Sequence, residues 1–316
     1  MKTIKFAFIA LATLTPLTGC ASPSATIKVC VVDDVDKPIS GVASELINIY
    51  DYGETRTGLT DKNGFYSDYI KNIYEVSGYF EKAGYYKSKG VIWEAPTKWG
   101  DVPVANTNFV IGMRHIINPV PMTYRHIRTY FPRNDESVGF DLAMGDWVAP
   151  DGKGQQADIY FNGSLRFESR RDFDLNVNLK FNDLFGGIQE FYNLKTEDKK
   201  KLGSEFIAPY TAPEVNYEQM YSLWKTSGGN PAKIQQHNKA GRNYIFRTRV
   251  VVNEKDEIIM ANYGWTVGEI VIDPSNKDKI FLTFSYYYNP DPHSRSLEPK
   301  EIADRQMKDL KERDQQ

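Results

Sequence analysis

Apolar and polar residues alternate with a period of two through much of this 316-residue chain, and that period predicts strands. The clearest run lies at 172–182: Phe173, Leu175, Val177, Leu179 and Phe181 fall on one face, with Asp172, Asp174, Asn176, Asn178, Lys180 and Asn182 on the other. Such a strand has one buried and one wet face. Near the start, Ile27, Val29 and Val31 oppose Lys28, Cys30 and Val32 in the same way. Residues 243–273 read as a hairpin turning at Asn253 to Asp256 with a long second arm, and 279–289 as the next strand of one antiparallel meander. From Thr196 to Asn238 the pattern is weak and predicts short helices and loops. Pro299 opens a predicted C-terminal helix, since proline suits the first helical turn, with a narrow stripe of Ala303, Met307 and Leu310. The expected fold is mainly β: an N-terminal sandwich, a larger antiparallel β-rich domain, and a C-terminal helix.

Turn signals divide the first part. Asn63-Gly64 predicts a two-residue hairpin turn with both central residues at positive φ. Three short segments then stand out: Asp34, Lys37, Pro38, Gly41 and Val42; Thr60, Asp61, Gly64 and Phe65; Lys82, Gly84 and Tyr85. Together they resemble the carboxypeptidase regulatory-like domain, a transthyretin-like β-sandwich, over about residues 26–95. That resemblance implies a non-catalytic spacer or binding module. Where the family carries glycine before the Lys-Pro pair, this chain has Asp36. A last strand is expected near Thr107 to Ile116, and the prolines of 118–121 mark a linker. The expected division is 26–117 for the sandwich, 118–296 for the larger domain and 297–316 for the helix.

The first 19 residues have the build of a secretory signal: Lys2 and Lys5, then an apolar stretch from Phe6 to Leu14. That stretch is far below the roughly 20 residues a membrane-spanning helix needs. Leu17-Thr18-Gly19-Cys20 resembles the lipobox of bacterial lipoproteins. The resemblance implies cleavage before Cys20, a diacylglycerol on its thiol, an acylated new amine, and a short tether over 20–25. Two or more acyl chains hold a protein stably on a bilayer. Ala21, rather than aspartate, implies the outer membrane. Cys30 is the only other cysteine, so no intrachain disulfide is expected.

Charge and chemistry narrow the function. Lys and Arg total 39 against 41 Asp and Glu, which argues against a nucleic-acid partner. None of His115, His126, His237 and His293 has the spacing of a zinc peptidase, and no serine sits in a G-x-S-x-G elbow. Gly152, Gly154 and Ala157 fit a dinucleotide fingerprint formally, but a strand pattern follows where a helix is required. No cofactor, metal or catalytic residue is expected. Two surface features remain. Trp93 and Trp99 flank a loop-like run and either close the edge of the sandwich or, as exposed paired indoles, suit stacking on sugar rings. Between Asp101 and Asp135 there is no acid, while Arg114, Arg125, His126, Arg128 and Arg133 lie there. That strip suits anionic lipid head groups or acidic glycans, or else ion pairs with acids such as Asp172 and Glu269. The expectation is a non-enzymatic outer-membrane lipoprotein that binds a ligand or supports the envelope. The alternatives are a periplasmic glycan hydrolase using carboxylates of the larger domain and an inhibitor or immunity-type lipoprotein.

Overall fold

The computed structural model describes residues 24–48, 54–71, 73, 75–94, 107–192, 201–229 and 233–313. Cys20 and Trp99 lie outside them, as does the side chain of Trp93. Among the described residues the fold is mainly β, with largely antiparallel sheets and one helix, near the C-terminus.

The first part is a sandwich of two sheets. One runs β3 (Glu54–Leu59), β2 (Ala43–Asn48), β5 (Glu75–Glu81), β6 (Ser88–Glu94), all antiparallel. The other runs β4 (Phe65–Ile70), β1 (Ala25–Val32), β7 (Thr107–Gly112), with β1 and β7 parallel. Alternation sends Ile27, Val29, Val31, Leu46, Val76, Phe80 and Ile111 into the shared core.

The turn at Asn63-Gly64 differs from the expected hairpin. Only Gly64 has positive φ, at 77°. Gly64 N–H donates to Asp61 O, and Asp61 Oδ1 accepts from Asn63 and Phe65 N–H. This is the form in which a tight turn is followed by one left-handed residue. It carries the chain from β3 in one sheet to β4 in the other, so it joins sheets instead of closing a pair. Asp36 takes the same conformation, with φ 60°, inside an identical hydrogen-bond pattern headed by Asp33. Aspartate thus takes the left-handed position of one turn as glycine does in the other.

The larger part is a second sandwich. Its first sheet runs β10 (Asp146–Trp147), β9 (Ser137–Asp141), β11 (Ile159–Ser169), β12 (Asp172–Phe181), β15 (Met220–Gly228), β16 (Gln235–Gln236). Its second runs β13 (Gly187–Tyr192), β17 (Arg242–Val252), β18 (Ile258–Thr266), β20 (Lys279–Asn289). Strand β19 (Val271–Asn276) continues β18 along one side of β20, and β8 (Thr123–Tyr130) lies along the other. Phe140, Phe161, Val177, Leu179, Phe246, Leu282 and Tyr286 fill the space between the sheets. Strand β15 replaces part of the helices and loops expected over 196–238.

The outward face of β17, β18 and one end of β20 is covered as well. Ile245, Tyr263, Trp265 and Tyr287 pack under Phe206, Ala208, Leu297, and Ile302 and Ala303 of helix α1 (Lys300–Arg313). Tyr86 of the small sandwich enters this cluster. The predicted linker is held there. Glu298, 1% exposed, accepts from Tyr86 Oη at 2.9 Å, Ile117 N at 2.8 Å and Asn118 N at 2.7 Å. Beyond it, β14 (Lys201–Leu202) adds a parallel edge to β7, and Glu205 N–H donates to Lys87 O.

Two substitutions test these joints by denaturant unfolding of the 21–316 protein. Glu298→Ala leaves the buried Tyr86 hydroxyl without its acceptor, at about 1–3 kcal/mol, and releases the N–H groups of Ile117 and Asn118, two exposed residues, to water, so a loss of about 2 kcal/mol is expected; Tyr86→Phe should cost about 1 kcal/mol. Gly64→Val should cost about 2 kcal/mol, because left-handed φ costs an L-residue about 1–2 kcal/mol. The new Cβ would also stand 2.6 Å from Val31 O.

Candidate functional site

The outward face of the first large sheet is open. Its middle strands place three rows of side chains side by side: Ser164, Asn176 and Trp224; Asn162, Asn178 and Ser222; Tyr160, Lys180 and Met220. Alternation dictates this, because the inward positions of β12 are all apolar and its outward positions all polar. Strand β15 then adds the two exposed apolar groups, Trp224 at 39% and Met220 at 65%. The Ser222 hydroxyl donates to Asn178 Oδ1 at 2.7 Å. An indole thus stands on a flat field of amides and hydroxyls.

Next to Trp224 the sheet ends in a cleft of about 490 Å³, walled by Met220, Ser222, Trp224, Gln236, Asn238 and Lys239. A second cleft of about 570 Å³ shares Gln236, Asn238 and Lys239. His237 closes the edge of β15. Its N–H donates to Trp224 O, and its ring lies between Trp224 and Ile270 O, with Nε2 3.1 Å from that carbonyl. Burial lowers the imidazole's pKa, so the neutral ring donates from Nε2 and accepts Trp224 N–H at Nδ1.

Beneath the clefts Arg242, its side chain 3% exposed, ties two carboxylates together. Its Nη1 donates to Glu190 Oε1 at 2.9 Å, its Nε to Glu269 Oε1 at 2.9 Å and its Nη2 to Glu269 Oε2 at 3.1 Å. Tyr221 and Tyr192 hydroxyls also donate to Glu190, and the Tyr244 hydroxyl to Glu269. Burial alone would push the Glu190 carboxyl up, but the two tyrosine hydroxyls and Arg242 hold it below its usual value. A carboxylate held ionised in this way does not serve as a general acid. A second buried pair, Asp141 and Asp158, is likewise bridged by Arg249. Burial pushes the Asp158 carboxyl up, yet its side chain is fully enclosed and cannot meet a substrate. Among the described residues no group of three or more His, Cys, Asp or Glu is placed to hold a metal ion.

The arginine strip of the sequence is taken apart by the fold. Arg114 sits at the junction: its Nε donates to Asp34 Oδ1 at 3.0 Å, and its guanidinium lies over the rings of Tyr210 and Phe206. Arg125 points inward and donates to Ala143 O. Arg133 pairs with Glu136 and Asp151 in a loop. Only His126 and Arg128 share an exposed face, where His126 Nδ1 lies 2.8 Å from Ser285 Oγ. Asp172 and Glu269, the acids expected to neutralise the strip, are instead paired with Arg166 and Arg242. Trp224 was not singled out by the sequence. The signal that could have found it is the run Tyr221, Leu223 and Trp224, strand-forming residues before the Gly228-Gly229 stop.

No protein-family profile matches this chain. No curated protein matches it either. Among solved structures, one similar chain is a 3-chlorocatechol 1,2-dioxygenase from Rhodococcus opacus, at 12% identity and a TM-score of 0.26. The likeness covers 30% of this chain and spans 61% of the dioxygenase. A candidate carbohydrate binding protein from Bacteroides uniformis is similar over 82% of this chain and 96% of its own length, at 12% identity and a TM-score of 0.20. At these scores neither likeness bears on function.

Proposed function

We propose that this protein is a non-enzymatic glycan-binding lipoprotein of the bacterial outer membrane, and that the face around Trp224 contacts the glycan. The observation that supports this most is the exposed indole on a flat field of Asn176, Asn178, Asn162 and Ser222 beside a cleft. An indole offers a broad apolar plate with one polar edge, which suits the apolar face of a sugar ring. Amide and hydroxyl side chains both donate and accept, which suits sugar hydroxyls. The arginine-bridged glutamates below are spent on holding the 237–242 segment, so the site is shaped for binding.

The anchor follows from Leu17-Thr18-Gly19-Cys20 and the partner it implies is the bilayer, through acylated Cys20. The small sandwich serves as the carboxypeptidase regulatory-like module between anchor and binding domain. Its support is the left-handed backbone at Asp36 and Gly64, at the turn positions that the family's motif marks.

The glycan reading is tested with the soluble 21–316 protein on an array of immobilised neutral polysaccharides. Wild type should be retained on at least one. Trp224→Ala should weaken that retention tenfold or more while thermal stability holds, since exposed substitutions usually stay within about 0.5 kcal/mol. Retention unchanged by Trp224→Ala would refute the assignment of the face.

The anchor is tested on the full chain expressed in a Gram-negative host. Mass spectrometry of the mature N-terminus should show acyl mass on Cys20, and Cys20→Ser should move the protein from the membrane to the soluble fraction. A mature wild-type product starting at Ala21 or later, without acyl mass, would refute it.

A further inference from the structure

The opposite side of the larger sandwich carries a second exposed face of different chemistry. The covering layer of loops and helix α1 protects only one end of β20. Toward the other end, β8 and β20 set Tyr130 beside Phe281, Arg128 beside Thr283, and His126 beside Ser285. Tyr124 and Tyr130 are 45% and 47% exposed. The rings of Tyr130 and Phe281 meet edge-on at 5.4 Å. The Arg128 guanidinium lies 5.5 Å from the centre of the Phe281 ring, and the Lys279 ammonium 5.6 Å from that of Tyr130.

These two cations differ from most of the arginines already described. Arg114, Arg133, Arg166, Arg242 and Arg249 are each paired with a carboxylate. Among the described residues Arg128 and Lys279 pair with none. The acids nearby are Asp273, opposite Phe281 on β19 and bound by Lys225, and Asp278 in the turn before Lys279. An aromatic partner orients a cation without neutralising it, so the charge remains available to an anion.

We infer that this face is a second binding site, for an acidic polysaccharide whose sugars carry carboxylate or sulfate groups. Lys279 lies four residues along β20 from Thr283, the partner of Arg128. At about 3.3 Å per residue, the backbone positions that carry the two cations stand roughly 13 Å apart along the sheet, and both side chains lean from there over the touching rings of Phe281 and Tyr130. Cations set around a pair of aromatic rings suit a polymer that carries both anions and apolar ring faces. The rings between them supply the apolar contact a sugar needs. The exposed aromatics here are tyrosines, without the Trp, Phe and Leu plate that sinks into a bilayer. The site does not depend on the Trp224 face.

The experiment measures binding of the soluble 21–316 protein to polygalacturonate, dextran sulfate, uncharged dextran, and vesicles of phosphatidylcholine with phosphatidylserine. Binding to an acidic polymer but not to uncharged dextran is expected. It should fall with added salt, because exposed charges are screened within about 10 Å at 0.1 M. Arg128→Ala with Lys279→Ala should reduce it tenfold or more at unchanged melting temperature. Tyr130→Ala, as a second variant, should also weaken it, and Trp224→Ala should leave it intact, which separates this site from the first. The inference is overturned if wild type binds neither acidic polymer, if it binds only the anionic vesicles, or if the double variant binds like wild type.

Discussion

Strand β17 is buried on both of its faces, and that constraint organises the larger domain. From Arg242 to Thr248 every residue is enclosed. Tyr244 and Phe246 face the core between the sheets, while Ile245 faces the outer cluster. The strand also carries Arg242, Arg247 and Arg249, and an enclosed charge costs several kcal/mol unless it finds partners. Each one therefore recruits a different part of the chain. Arg242 holds Glu190 and Glu269, Arg247 holds the carbonyls of Phe185 and Glu214, and Arg249 holds Asp141 and Asp158. A bulge with Arg249 at φ 53° turns the last of these toward its two acids. The loops that flank the clefts are thus positioned from beneath, by one strand.

How much of this could be read in the sequence depends on how many faces a strand buries. Strand β12 buries one, so its alternation is plain and its register against β11 and β15 follows. Strand β20 was legible as a strand from its run of Phe and Tyr, but nothing in that run says that only one end of its outer face is covered. Strand β15 was lost in a weak region because Leu223 and Ser227 alone are buried in it. Its inward positions include the polar or half-buried Tyr221 and Lys225, so no apolar alternation shows, and Trp224 was lost with it. The arginine strip failed for a related reason. Its members are close in sequence, but alternation turns Arg125 inward and Arg128 outward, and the junction takes Arg114.

Turn chemistry proved a firmer guide than any single glycine. The segments headed by Asp33, Asp61 and Asn253 share one arrangement. In each, the first side chain accepts two N–H groups and the fourth residue is left-handed: Asp36, Gly64 and Asp256. The head residue enforces the turn, so the fourth position tolerates aspartate as well as glycine. Asn253 to Asp256 was legible as a turn between two strand patterns, and the small sandwich uses the same device twice.

The parallel pairing of β1 with β7 has a mechanical consequence. The chain enters the small sandwich at the start of β1, and leaves toward the larger domain from the end of β7, at the far end of the same pair. Tension between the N-terminus and the larger domain therefore runs along both strands at once. It loads the hydrogen bonds from Ile27 to Val32 together in shear, instead of peeling them one after another. Forced unfolding is governed by the rate of crossing its barrier, and a ladder that must break as a unit makes that crossing slow. The small sandwich is wired to carry load along its length.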